Sequence, residues 1–168
     1  MKIKISGLKN GMYTYKFEGK SESLELIEPL SGNYCADVVL NKFDDQIILD
    51  VSVTCGANFE CDRCSTDFKR DVSGDYKMVY LLRAVENADS DSDITYLSPD
   101  TDKIDITNDV RDYIILSIPM KKLCKDDCAG LCINCGKDLN EGSCDCKNEK
   151  VDDRWKDLLE LKKKLNTN

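Results

Sequence analysis

The chain has 168 residues, and 24 Lys and Arg against 32 Asp and Glu give a formal net charge of −8. Apolar residues make up 41%, which is typical of a globular protein and argues against global disorder. No apolar run approaches the roughly 18 residues of a membrane span, and the alternating start differs from a signal peptide, so we expect a cytoplasmic protein. The absence of His excludes imidazole-based nucleophile pairs. The glycine-rich motifs of nucleotide-binding loops are also missing, so we expect neither a membrane nor a nucleotide partner.

The first half of the chain predicts β structure. Residues 1–8 alternate charged and apolar side chains, as a half-buried strand does, whereas residues 9–34 give no clear prediction. The Val- and Ile-rich segments 35–41 and 46–55 predict two strands joined by a turn at 42–45.

The strand pattern continues through residues 66–72 and 75–83, across Ser73-Gly74. The first half is therefore predicted to be mostly antiparallel β. The acidic run 86–93 predicts a solvated loop. Its spacing is not that of a calcium-binding EF-hand.

Two short strands, over 94–97 and 104–106, precede a predicted helix. Thr107 or Asn108 is expected to cap this helix, and Pro119 to stop it. We predict an α+β fold, with a mostly antiparallel β-rich body over residues 1–120 closed by this helix.

Residues 121–168 are predicted to form a Cys-rich metal-binding segment followed by a C-terminal helix over 152–165. Asp152 or Asp153 can cap that helix. Trp155 is expected to pack it down as an apolar anchor.

Six of the ten cysteines lie between residues 124 and 146. Clustered Cys pairs in a cytosolic chain favour metal binding over disulfides. The strongest element is Cys132-x₂-Cys135-Gly136, whose two thiolates can converge on one metal ion. Cys144-x-Cys146 can supply the other two ligands, and four thiolates on Zn²⁺ leave no open position, as in a structural site. Its ligands are predicted to be Cys132, Cys135, Cys144 and Cys146. An iron–sulfur cluster uses the same ligands, and plain reduced thiols are the remaining alternative.

A further C-x₂-C pair, Cys61 and Cys64, lies between two β segments. It can be a buried hairpin pair, a redox pair, or half of a second metal site completed by Cys124 and Cys128. The sequence leaves these alternatives open, because it does not show which thiols meet. Cys35 and Cys55 are expected to be small buried apolar residues.

These motifs resemble the YceD family, whose members are called large ribosomal RNA subunit accumulation proteins. The resemblance rests on C-D-R-C at 61–64, the helix end at 116–119, the Cys-rich run at 124–146 and D-D-R-W at 152–155. It covers residues 50 to 161. The family usually has Pro where this chain has Asp153, a change that still suits a helix N-terminus.

The resemblance implies a non-enzymatic factor for the processing or accumulation of large-subunit ribosomal RNA, and thus for ribosome biogenesis. The implied partner is the large-subunit RNA precursor or a basic large-subunit ribosomal protein. Residues predicted to contact RNA or a partner are Arg63, Arg154 and Trp155.

Charge bears on the choice of partner. Residues 1–120 carry 13 basic and 22 acidic side chains, whereas residues 121–168 carry 11 and 10. RNA phosphates require basic surface, so an RNA contact is expected in the tail, while the acidic body suits a basic protein. Two alternatives remain: a zinc-stabilised protein–protein interaction module unrelated to ribosomes, and a redox or metal-handling enzyme using Cys61 and Cys64.

Overall fold

The computed structural model describes residues 1–82 and 94–146, together with Trp155 and Leu158. By its internal contacts the chain forms two compact units, a first unit over Met1–Cys124 and a second over Lys125–Asn168. The elements of the first unit are β1 (Lys2–Lys4), β2 (Gly11–Lys20), a 3₁₀ turn (Ser21–Leu24), β3 (Leu30–Lys42), β4 (Gln46–Glu60), β5 (Asp67–Leu82), β6 (Ile94–Leu97), β7 (Lys103–Asp105) and α1 (Thr107–Leu116).

Five strands form one sheet in the order β2-β3-β4-β5-β6, and β1 pairs with β7 in a separate two-stranded sheet. Every pair is antiparallel except β5 with β6, which run parallel. The predicted mostly antiparallel β structure is thus confirmed, with one parallel edge that the sequence did not indicate.

The predicted strands over 35–41 and 46–55 are confirmed as parts of the longer strands β3 and β4. Leu49, Val51 and Val53 are at most 2% exposed, while Ser52 between them is exposed, as the alternation predicted. The ten-residue strand β2 lies in the stretch for which the sequence gave no clear prediction.

The predicted strand segments 66–72 and 75–83 belong to one strand, β5, which runs unbroken through Ser73-Gly74 for 16 residues. Gly74 serves close packing rather than a turn. A Cβ at this position would lie 3.3 Å from both the Tyr113 carbonyl oxygen and the Ser117 Cβ. The glycine therefore allows the end of α1 to approach the middle of β5.

The predicted helix is confirmed over Thr107–Leu116, with Val110 and Ile114 fully buried in the core. Its expected cap is wrong, since Thr107 is already helical and Ile106 at the N-cap provides no side-chain bond. Asp105 takes that role: its Oδ1 accepts the Thr107 amide at 3.0 Å and the Thr107 hydroxyl at 2.5 Å.

The acidic run 86–93 lies outside the described residues, as does the predicted C-terminal helix apart from Trp155 and Leu158. Trp155 is 56% exposed, so it is not the buried anchor that we expected. The C-terminal helix, the closing role of α1 and the division at residue 120 stay predictions. In the part of the chain that the structure describes, no helix is long and apolar enough to cross a membrane.

Candidate metal centres

The first Cys pair lies in the loop that joins the long strands β4 and β5. The Cys61 amide donates to the Thr66 carbonyl at 3.0 Å, and the Ser65 amide donates to the Cys61 carbonyl at 2.9 Å. Ser65 completes this tight loop with a positive φ of 54°. Cys61 and Cys64 are 1% and 6% exposed, so the loop directs both thiols inward.

The chain segment that ends in Cys124 lies against this loop. The Asp62 amide donates to the Lys122 carbonyl at 2.8 Å, and the Lys122 amide donates to Asp62 Oδ2 at 2.7 Å. This pairing brings the Cys124 amide to 3.4 Å from the Cys61 sulfur, and the Cys64 and Cys124 sulfurs to 3.6 Å from each other. Asp62 therefore positions the third thiol, a role that the sequence analysis missed although Asp62 stands between the two cysteines.

Four sulfur atoms, all within 4.8 Å of one another, form a first cluster of Cys61, Cys64, Cys124 and Cys128. Zn–S bonds of about 2.3 Å place tetrahedral sulfurs roughly 3.8 Å apart, so this spacing fits one ion. The structure thus brings together the thiols of the second-site hypothesis.

The second cluster consists of Cys132, Cys135, Cys144 and Cys146, whose sulfurs also lie within 4.8 Å of one another. The Gly136 amide donates to the Cys132 carbonyl and the Cys132 amide to the Lys137 carbonyl, each at 2.8 Å. Gly136 has a φ of 72°, which glycine adopts without strain. All four thiols come from a 15-residue stretch, so this cluster is local in sequence.

Both clusters contain thiols whose pKa departs from that of a free cysteine. Burial raises the pKa of Cys61, but the amides of Cys124, Arg63 and Cys64 outweigh it and lower the pKa to about 6. The amides of Cys135 and Asn134 likewise lower the pKa of Cys132 to about 6.

The opposite holds for Cys146, because a hydrogen bond with Cys135 raises its pKa to about 12. Neighbouring thiols without a cation cannot all ionise, whereas a bound divalent cation lets all four become thiolates. The clusters are therefore suited to a metal, and an all-sulfur donor set is typical of Zn²⁺ or an iron–sulfur centre.

The remaining predicted residues lie elsewhere. Cys55 is buried in the core, as expected, while Cys35 is half-buried with its sulfur 3.7 Å from Asp37 Oδ2. Arg63 is exposed in the loop of the first cluster. Arg154 lies outside the described residues. Metal binding by the eight thiols, and partner binding by Arg63, Arg154 and Trp155, stay predictions.

Comparison with known proteins identifies relatives of this chain. The sequence model of the family described as "Large ribosomal RNA subunit accumulation protein YceD" matches residues 49–162. Both clusters lie within the matched range. No solved structure matches the chain significantly.

Two plant proteins named "Large ribosomal RNA subunit accumulation protein YCED homolog 1, chloroplastic" are similar to it. The Arabidopsis thaliana protein is 33% identical over 73 residues, 44% of this chain and 23% of the relative. The Zea mays protein is 42% identical over 69 residues, 38% of this chain and 24% of the relative.

An uncharacterized protein of Mycobacterium bovis is 25% identical over 130 residues, 74% of this chain and 60% of the relative. The chain spans about a quarter of the length of the plant relatives it matches. The family is named for the accumulation of an RNA, not for a catalysed reaction. With the family match extending over residues 49–162, the chain belongs to the YceD family of large ribosomal RNA subunit accumulation proteins.

Proposed function

We propose that this protein is a non-enzymatic factor in ribosome biogenesis that promotes the processing or accumulation of large-subunit ribosomal RNA by binding. The family match carries the proposal, because it includes both Cys clusters and the segment that joins them. We place this activity in the cytoplasm. A bound Zn²⁺ in each cluster would hold the backbone in place and would leave no open coordination position for catalysis.

The loop of the first cluster is the surface that we assign to RNA. Arg63 and Lys121 are exposed, and Lys122 is tied to the same loop through Asp62. A buried Cys cluster beneath them gives these cations a rigid base, which reduces the entropy lost when they meet phosphate. Trp155, 56% exposed, offers a stacking surface, and Arg154 is its neighbour in sequence.

The acidic side chains of residues 1–120 favour a second candidate, a contact with a basic large-subunit ribosomal protein. This stretch has nine more acidic than basic residues. Such a field repels RNA phosphate and attracts a cationic protein. The two candidates predict different crosslinks.

Ultraviolet crosslinking of the tagged protein in cells, followed by sequencing of bound RNA, tests the proposal. We expect crosslinks at one region of the large-subunit RNA precursor, and fewer with Arg63→Ala. Arg70→Ala is the matched control, since Arg70 is exposed on β5 of the same unit and outside this loop. Cosedimentation with precursor particles without RNA crosslinks would favour the ribosomal protein. Unchanged large-subunit RNA levels and precursor ends after deletion would overturn the function.

A further inference from the structure

Asn140 connects the second cluster to a ligand of the first. It lies in the loop between Cys135 and Cys144, and its side-chain amide donates a hydrogen bond to the sulfur of Cys128 at 3.4 Å. Cys128 is one of the four thiols of the first cluster. One side chain carried by the second cluster therefore touches the first.

The carboxamide of Asn140 is held from both ends. Its Oδ1 accepts the Ala129 amide at 2.9 Å, and its Nδ2 also donates to Asp138 Oδ1 at 2.7 Å. The Asn140 main-chain amide donates to the same Asp138 oxygen at 2.8 Å. These bonds, one of which comes from the residue next to Cys128 in sequence, fix the direction of the Asn140 N–H group that faces Cys128.

An N–H donor of this kind matters for a metal ligand. It stabilises the negative charge of a thiolate and fixes the direction of its sulfur lone pairs. Loss of such an outer partner typically reduces metal affinity about 10- to 100-fold. Asn140 is thus a positioning residue for the first cluster, acting through Cys128.

The position of Asn140 depends in turn on the second cluster. Its loop is joined to the preceding chain by the Leu139 amide, which donates to the Gly130 carbonyl at 2.8 Å, and by the Leu131–Asp138 bridge. Between residues 125 and 146, the buried hydrophobic side chains are those of Cys128 and Cys132. Thiol ligation, rather than an apolar core, therefore has to order the loop that carries Asn140.

We propose that Asn140 couples the two clusters, so that a metal ion bound by the second cluster strengthens metal binding by the first. By thermodynamic linkage, the first cluster strengthens the second by the same factor. This inference rests on the metal sites of the proposed function and adds an order of loading to them.

Titration of the full-length chain with Co²⁺ tests the coupling. The thiolate-to-cobalt absorption reports ligation, and the amide NMR signals of Cys61 and Cys132 assign each step to its cluster. Because the four thiols of the second cluster are local in sequence, we expect this cluster to load first. Asn140→Ala should then weaken the first cluster about tenfold and the second, which is filled before the first, by less than about twofold. Cys135→Ser, which breaks the second cluster, should weaken the first by a similar factor.

The double variant gives the sharpest result. Asn140→Ala with Cys135→Ser should weaken the first cluster no further than either change alone, because both interrupt one connection. Asn140→Asp retains an oxygen for the Ala129 amide but loses the donor to Cys128, and it should weaken the first cluster at least as much. Asn33→Ala, the same change at an exposed residue of β3, should leave both steps unchanged.

First-cluster affinity that stays within twofold in Asn140→Ala and in Cys135→Ser would overturn the coupling and leave both metal sites standing. Additive losses in the double variant would also overturn it. Absence of cobalt–thiolate absorption in the unmodified chain would instead overturn the metal sites. The two failures are thus distinguishable.

Discussion

The two units of this protein bury different kinds of side chain. The first unit buries a continuous apolar core that includes Leu40, Ile47, Leu49 and Ile114, each with no exposed surface. In the second unit, the described residues 125–146 include Leu131 and Ile133, which are 37% and 86% exposed, and they bury sulfur instead. The first unit thus relies on the hydrophobic effect, whereas residues 125–146 have few buried apolar side chains, and the metal ligation that we propose would order them instead.

Removal of metal should have the largest effect. It tests directly whether metal ligation, rather than an apolar core, orders residues 125–146. A strong chelator is expected to unfold residues 125–146, because structural Zn²⁺ contributes about 10–16 kcal/mol to segments of this kind. The sheet of the first unit should persist. Amide hydrogen exchange checks both expectations, with readdition of Zn²⁺ as the control. Continued protection of residues 125–146 without metal would show that another interaction folds them.

Loss of one thiol from either cluster should have the next largest effect. It tests the two proposed metal centres independently of each other. Cys64→Ser and Cys135→Ser are each expected to reduce bound zinc from two ions to one, because a Cys₄ site with three thiols binds far more weakly. Metal analysis of the purified chains measures this directly. Cys35→Ser is the control, since its thiol belongs to neither cluster. Two ions retained in Cys135→Ser would remove the second cluster from the metal sites.

A substitution in the apolar core tests how the first unit is stabilised. Ile114→Ala should destabilise the first unit by about 2–5 kcal/mol, through lost apolar burial and the cavity left behind. The zinc content should remain unchanged. Leu116→Ala on the same helix is the matched control, because Leu116 is 74% exposed. Urea unfolding monitored by circular dichroism gives the difference, and equal midpoints would contradict a core role for Ile114.

The smallest expected effect concerns the start of α1. The Thr107 hydroxyl and amide, which donate to Asp105, lower the pKa of its carboxyl group to about 2. Since this value lies below that of an unfolded chain, the carboxylate stabilises the fold above about pH 4, and the contribution is lost as the pH falls toward 2. Asp105→Asn should therefore lower the urea midpoint at pH 6 and make little difference near pH 2.

The exposed carboxyl group of Asp100 provides the matched control for that measurement. Asp100→Asn should leave the urea midpoint unchanged at both pH values. A constant difference between Asp105→Asn and the unmodified chain across this range would show that the carboxylate has no such role.

Local patterns accounted for much of the fold. Alternation in 46–55 located β4, and Val and Ile content located β3. The same signal was present in β2, where Tyr13, Tyr15 and Phe17 alternate with polar residues, but flanking glycines and charges obscured it. Contacts distant in sequence were harder to predict. The packing role of Gly74 had no signal in the sequence, because the helix that packs on it is about 40 residues away.

The two Cys clusters also show that contacts distant in sequence are harder to predict than local ones. The second is local, so its spacing alone predicted which four thiols meet. The first combines Cys61 and Cys64 with thiols about 60 residues later, and the sequence left several pairings open. Asp62 and Asn140 were not assigned roles, because their partners are main-chain groups and a sulfur atom that the folded chain brings near.

The loop that joins β4 and β5 also affects the register in which these two strands pair. The two strands pair without interruption from Gln46 opposite Leu81 to Glu60 opposite Asp67. Such a hairpin, about 50 Å long, has many neighbouring alignments, and a slip of one residue would turn its core face toward water. The Cys61–Cys64 loop works against such slips, since only the native alignment lets both thiols meet Cys124. The metal binding that we propose at the tip of the hairpin would therefore also favour the native alignment of the two strands along their whole length.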